Sequence, residues 1–374
     1  MSERRLPLLV PERNLNELST TKPTRYRELT VAGSPREMGQ QIGEAAREEV
    51  KGFCEVALDR VNKTVPISCE RAMKIAAACI PFADTYRPDL LEELRGTAEA
   101  AEVALEDLML LQVRNQLQPD QDAGCTSLSV AADATSDGHA IVAQNWDNDP
   151  VLDEFTLVLT RRPTDNPALM TVTQAGLISY LGFNEKGIGA CVNTLPAPAR
   201  DIGVPHYFTL RELHETTSLD GAVHAVRRAH RAIPANIMLA TPQGPADLEV
   251  TIDDIHVLRD VGAGYLAHTN HCVHPDLLSS NEKFPELIES HPRKCRIDTL
   301  LAERSEPFTR QDVQRMLSDH DNYPRSICRH ENDHPQHGFW VTVLSIVMQP
   351  TAGRMYVTRG TPCAHPFELY KLNG

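Results

Sequence analysis

The hydrophobic pattern of this chain changes period once, at Cys125, and any fold it adopts has to accommodate that change. Before it, apolar residues recur at helical spacing. Ser34-Pro35-Arg36-Glu37 reads as a capped helix start with proline in its first turn. Met38, Ile42, Ala45, Ala46, Phe53, Val56 and Val61 follow at roughly helical intervals. The same pattern returns over residues 71–80 and 90–117. Residues 1–33 are rich in proline and arginine, with one short strand expected in the stretch YRELTVAG.

From Cys125 onward the period is two. Strands are expected over residues 126–132, 139–146, 155–161, 169–174, 178–183 and 188–193. Ser136-Asp137-Gly138 and Asn184-Glu185-Lys186-Gly187 supply turns between them. Two helices are expected over 208–215 and 222–231, then strands over 237–240, 248–252 and 265–269. Thr309-Arg310-Gln311-Asp312 caps a further helix, and 340–349 with 354–358 form a late hairpin around Ala352-Gly353. Strands follow one another without single alternating helices, which argues against a doubly wound parallel sheet. Stacked antiparallel sheets with helices outside fit the order. The break at Asp122-Ala123-Gly124-Cys125 has no Gly/Ser-rich linker, so it does not read as an ordinary domain boundary.

Composition narrows the function. The 374 residues carry 37 Lys+Arg against 51 Asp+Glu, a formal charge of −14. An acidic chain lacks the basic footprint that phosphate neutralisation requires, so no nucleic-acid partner is expected. No apolar window approaches the ~18 residues of a membrane span. The nine cysteines are odd in number and contain no CxxC pair, which suits free thiols in a reducing, cytoplasmic setting.

A cysteine opening the first strand of a sheet offers one specific chemistry. If the Gly124–Cys125 bond is cut, Cys125 carries a free α-amine beside its thiol. That amine titrates near ~7.7–8.0 and can take the thiol proton. Gly124 leaves room for thiol attack on its own carbonyl. The competing reading is a buried core cysteine, the commonest state of a free thiol.

The sequence resembles the acyl-coenzyme A:isopenicillin N acyltransferase family, self-processing N-terminal nucleophile hydrolases. The resemblance is carried by GSPREMGQQIG at 33–43, GCTSL at 124–128, AQNWD at 143–147, GFNEKGIGACVNTL at 182–195, HTNHC at 268–272, DNYPRSICRH at 321–330 and GTPC at 360–363, in that order. It implies a four-layer α/β/β/α sandwich. It implies autocleavage into an α fragment, 1–124, and a β fragment, 125–374, that together form one domain. It also implies roles for particular residues. Cys125 matches the nucleophile, and Asp147 the acid that orients the nucleophile's amine. Asn193 and Asn270 match the positions that supply oxyanion donors and hold the amine. Arg329 matches an arginine that tunes the nucleophile's charge. The residue types suit these roles. Asparagine is a neutral donor toward a developing oxyanion, while a carboxylate and a guanidinium move amine and thiol pKa values in opposite directions. Read without the resemblance, Asp147 and Asn193 are more simply strand-end turn residues, and Arg329 a surface ion pair.

The expected activity is cleavage of a small N-acyl amine or amino acid through a Cys125 thioester, with acyl-CoA-dependent N-acyl transfer as the alternative. The family often carries an aromatic residue after the NWD aspartate. This chain has Asn148, which argues against a penicillin-type acyl pocket. The expected partners are a small amide or acyl donor and the two fragments of one precursor. Homo-oligomer formation stays open, and no membrane, cofactor or metal is expected.

Two readings from other classes remain. One is an unprocessed cysteine hydrolase using His268 or His271 as base. The other is a metal-binding protein using His268, His271, Cys272 and His274, or His330, His334 and His337. Along a strand end, His268 and His271 point to opposite faces and converge poorly. Glu44, Arg47, Glu48 and Lys51 read as a solvated helix face with pairs within the helix.

Overall fold

The computed structural model describes residues 23–63, 65–117, 124–283, 289–335 and 337–373. Asp122 and Ala123 lie outside the described residues. The chain opens with strand β1 (Arg27–Gly33) and five helices, α1 (Pro35–Ala45), α2 (Arg47–Asn62), α3 (Cys69–Tyr86), α4 (Pro88–Ala101) and α5 (Leu105–Val113). Strands β2 (Gly124–Val130), β3 (Ile141–Asn148), β4 (Thr156–Pro163), β5 (Leu169–Gln174), β6 (Leu181–Asn184) and β7 (Gly189–Asn193) follow. Helices α6 (His206–His214) and α7 (Leu219–Arg228) precede β8 (Ala235–Thr241), β9 (Gly244–Val250), β10 (Ile255–Arg259) and β11 (Tyr265–His268). The chain ends with α8 (Ser290–Ala302), α9 (Arg310–Leu317), β12 (Val341–Gln349), β13 (Arg354–Val357) and β14 (Glu368–Lys371).

The strands form two sheets. One has eight strands in the order β1-β4-β5-β6-β7-β8-β9-β10, the other six in the order β11-β2-β3-β12-β13-β14. Every pairing between these strands is antiparallel except β1 with β4, which is parallel. That exception arises because β1 reaches the sheet edge from the helical segment, not through a hairpin. A large apolar core joins the two sheets and α1–α7. A second core places Leu128, Val130, Ile141 and Val347 of the six-stranded sheet against Ile297, Leu301, Val313 and Leu317 of α8 and α9. The result is two stacked antiparallel sheets flanked by helices, an α/β/β/α sandwich. No helix among the described residues is long and apolar enough to cross a membrane.

Local signals explain the element boundaries. Ser34 caps α1 and exchanges bonds with Glu37 in a full capping box, and Thr309 does the same with Asp312 at α9. Gly353 turns the β12–β13 hairpin at φ 63°. Gly39 of α1 lies where a Cβ would fall 1.9 Å from the Glu93 carbonyl oxygen, so α1 and α4 pack backbone to backbone. Three elements escape the sequence pattern: β10, α8 and β14. Arg47 and Lys51 also depart from it. Both pair with Glu102, at 2.7 and 3.1 Å, across to the end of α4 instead of within α2.

A buried ion network ties the helical segment to the sheet. Glu93 of α4 accepts from Arg161 of β4 at 2.8 Å and from Arg211 of α6 at 2.9 Å. Arg211 reaches Glu215 at 2.8 Å, and Glu215 accepts from Arg87 at 2.6 Å. Breaking such a network from one side leaves uncompensated buried charge. Glu93→Ala should therefore cost about 3–5 kcal/mol of stability, since Arg161 would stay buried without a carboxylate and Arg211 would keep only Glu215. Urea unfolding of the substituted and unsubstituted chains, both carrying Cys125→Ala, measures it; equal midpoints would show that the network adds nothing to stability.

Candidate active site

Strand alternation decides what each residue of β2 faces. Cys125 and Ser127 point between the sheets, where the Ser127 hydroxyl accepts from Asn193 Nδ2 of β7 at 2.8 Å. Thr126, Leu128 and Val130 point the other way, toward α8 and α9. Cys125 sits opposite Trp146 in the β2–β3 register, and Gly124 sits opposite Asp147. The Cys125 thiol therefore shares the inter-sheet face with the indole, while Asp147 projects from the opposite face beside the Gly124–Cys125 junction.

Asn270 lies just beyond β11. Its Oδ1 accepts the Cys125 backbone N–H at 2.9 Å, and its Nδ2 donates to the Thr194 carbonyl at 3.2 Å. Its own backbone N–H donates to Ser290 Oγ at 2.7 Å, so the first turn of α8 holds it in place. Arg293, three residues into that helix, donates to Asn270 Oδ1 at 2.8 Å, to Thr126 Oγ1 at 2.8 Å and to the Cys125 carbonyl. One buried guanidinium thus spans the nucleophile candidate and the residue that holds its nitrogen.

Asp147 is fully buried, and Thr342 of β12 donates to its Oδ1 at 2.7 Å. Its Oδ2 has no hydrogen-bond partner among the described residues. Burial raises the carboxyl above its usual range, opposed by the Arg293 and Arg329 charges and the Thr342 bond. The same Thr342 hydroxyl accepts the Arg329 backbone N–H at 2.9 Å. The buried Arg329 side chain donates to Glu289 at 2.8 Å, and its Nε and Nη2 have no partner among the described residues. Asn193 lies across the inter-sheet face from these groups. Both of its amide protons are engaged, by Ser127 Oγ and by Asn236 Oδ1 at 3.0 Å.

A small cleft with a cavity volume of about 30 Å3 opens onto Cys125. Tyr180, Val192, Asn193, His206 and Pro234 are among its walls. Tyr180 meets Trp146 and Tyr207 edge to face, each at 5.5 Å. Burial pushes His206 down to about 4, so its ring is neutral at neutral pH. The walls are therefore apolar or uncharged.

The histidine alternatives meet definite partners. His268 spends both ring nitrogens, one toward Glu249 and one toward the Thr269 carbonyl, each at 2.8 Å. His271 bonds Ser290 at 2.7 Å and stacks on His291. His334 and His337 stack on each other, while His330 turns away toward His320. Neither expected histidine grouping converges on a common point.

Arg293, Thr342 and Ser290 are absent from the sequence expectation. Arg293 shares a buried stripe with Ile297 and Leu301, four and eight residues on, a spacing that carries a signal only once α8 is known to be a helix.

Two stacked antiparallel sheets flanked by helices, with a buried cysteine opening one strand, have the layer order of the N-terminal nucleophile hydrolases, a class of self-processing amidohydrolases and acyltransferases that act through a nucleophile on small acyl-amide substrates. Residues 134–363 match the acyl-coenzyme A:6-aminopenicillanic acid acyl-transferase family, and the chain belongs to that family. The matched span includes Asp147, Asn193, Asn270 and Arg329 and begins after Cys125. The chain is also 27% identical, over 89% of its length and 92% of the relative's, to the 40 kDa form of the acyl-coenzyme A:6-aminopenicillanic-acid-acyltransferase of Emericella nidulans. A conjugated bile acid hydrolase of Clostridium perfringens aligns at 12% identity and TM-score 0.42, over 66% of this chain and 96% of that one. A penicillin V acylase of Agrobacterium tumefaciens aligns at 12% identity and TM-score 0.44, over 66% of this chain and 84% of that one.

Arg293→Lys should slow conversion of the precursor about 10²-fold, because an ammonium group cannot span three fixed acceptors and the junction shifts. A time course on denaturing gels reads it; unchanged conversion would deny Arg293 a positioning role.

Proposed function

We propose that the chain cuts itself between Gly124 and Cys125 into fragments 1–124 and 125–374, and that the mature protein is an amidase for small N-acyl amines or amino acids. The bond from the Cys125 N–H to Asn270 Oδ1 carries this reading. It holds the nitrogen of the scissile amide in the sheet, while the thiol of the same residue faces the cavity.

In processing, the Cys125 sulfur attacks the Gly124 carbonyl. A C–S bond forms, the C–N bond breaks, and the nitrogen leaves with a proton as the new α-amine. Water then hydrolyses the thioester, freeing the Gly124 carboxylate and the thiol. In turnover, the α-amine takes the thiol proton and sulfur attacks the substrate carbonyl. The amine passes its proton to the leaving amine, and water resolves the acyl thioester.

Asn270 keeps the α-amine in the position of the former amide nitrogen and supplies a donor near the reacting carbon. Asp147, opposite Gly124 in the β-ladder, uses Oδ2 to orient the ammonium form. Asn193 can serve the oxyanion only by exchanging its bond to Ser127 or Asn236. Arg329 opposes the Asp147 charge from within the sheet's outer face. The uncharged cavity walls suit a neutral acyl group.

Acyl transfer is the second reading, favoured by the Emericella relative; an acceptor amine or an acyl-CoA donor would then replace one reactant. None of the nine cysteines is paired in a disulfide, which supports a reducing, cytoplasmic location.

Intact-mass spectrometry of the wild type should show fragments of roughly 14 and 28 kDa, in proportion to chain length, and Cys125→Ala a single precursor. An uncut, fully active wild type would end the proposal. Released amine from a panel of N-acyl amides, with and without added acceptor amine, then separates hydrolysis from transfer.

A further inference from the structure

Four side chains meet beside Arg329 at a point that no catalytic step uses. His320 follows α9, Cys328 and His330 flank Arg329, and Cys363 lies between β13 and β14. Their ligand atoms all fall within 4.8 Å of one another. The His320 and His330 Nε2 atoms are 3.2 Å apart, and Cys328 Sγ and Cys363 Sγ are each 3.5 Å from His330 Nε2.

Hydrogen bonding does not account for this convergence. A ring nitrogen offers one N–H or one lone pair in the ring plane, yet three groups crowd onto His330 Nε2. A metal ion at the centre does account for it. For zinc, with bonds of ~2.0–2.1 Å to nitrogen and ~2.3 Å to sulfur, tetrahedral edges come to about 3.3–3.4 Å between nitrogens and about 3.5–3.6 Å between nitrogen and sulfur. The two His–Cys separations of 3.5 Å match those edges, and the His–His separation of 3.2 Å falls about 0.1 Å short of its edge.

We propose that His320, Cys328, His330 and Cys363 form a structural zinc site. All four tetrahedral positions come from the protein, which leaves none open for a substrate or water. Two thiolates and two imidazoles favour zinc over magnesium or calcium, which take oxygen donors. Binding releases the two thiol protons to solvent, and the resulting centre is neutral, which suits a site that is buried at Cys328 and exposed at His320 and Cys363. No electron is transferred. The ion would join the segment 320–330 after α9 to the segment between β13 and β14, and two of its ligands bracket Arg329. It therefore acts as a clamp that sets the backbone from which that guanidinium projects. The site is independent of whether residue 125 is cut.

Full-length wild type and the uncut Cys125→Ala chain, loaded with zinc chloride and passed through gel filtration, should both retain stoichiometric zinc by elemental mass spectrometry. Cobalt(II) in its place should give the absorption of a tetrahedral thiolate centre. Cys363→Ser and His320→Ala, both at exposed positions, should lose the metal on the same column, while Cys295→Ser, an exposed cysteine elsewhere, should keep it. Zinc should raise the Tm of wild type and leave that of Cys363→Ser unmoved. Metal-free wild type after loading, equal zinc in Cys363→Ser, or a Cys328–Cys363 disulfide seen as a mass lower by two hydrogens would each overturn the assignment.

Discussion

The Asn270 side-chain oxygen accepts two hydrogen bonds, one from the Cys125 backbone nitrogen and one from Arg293. Most of the site follows from that shared acceptor. It fixes the nitrogen of residue 125 relative to α8, and α8 is itself fixed by the core it makes with the six-stranded sheet. A neutral amide is suited to this position. A carboxylate there would bind the guanidinium more strongly, but it would also add a buried negative charge close to Asp147.

The pleat of β2 and β3 divides the chemistry between two faces. The thiol and the cavity lie on one face of the six-stranded sheet. Asp147, Thr342, Arg293 and Arg329 lie on the other. The backbone nitrogen at the start of β2 is the group that both faces reach. In the proposed reaction, this separation would let the carboxylate and the guanidinium groups act on the new amine while the cavity stays uncharged. Burial, not a charged partner, keeps His206 neutral there.

Legibility varies with how local each signal is. The change of period at Cys125 is plain in the sequence, because helices and strands impose different spacings on a few neighbouring residues. The α1 cap and the Gly353 hairpin are legible for the same reason. Helix α8 is not, since its buried face includes Ser290 and Arg293, which do not read as apolar. The parallel β1–β4 pair and the Glu102 bridges join distant segments, and no local spacing encodes them. The histidines show this limit best. Proximity in sequence groups His330 with His334 and His337, whereas folding places it with His320, Cys328 and Cys363. Side-chain commitment is likewise unreadable: Asn193 is legible as a candidate, but its two engaged amide protons are not.

Glu93 and β1 belong to the segment before the junction, while their partners Arg161, Arg211 and β4 belong to the segment after it. A cut at residue 124 therefore leaves two polypeptides interlocked in one core and one sheet. They would have assembled while tethered, at high effective concentration. Once both were unfolded, reassembly would become a bimolecular search between chains that each expose apolar surface, with aggregation as the faster route. Such a protein folds once, and its working lifetime is set by how slowly it comes apart, not by the equilibrium between its folded and unfolded forms.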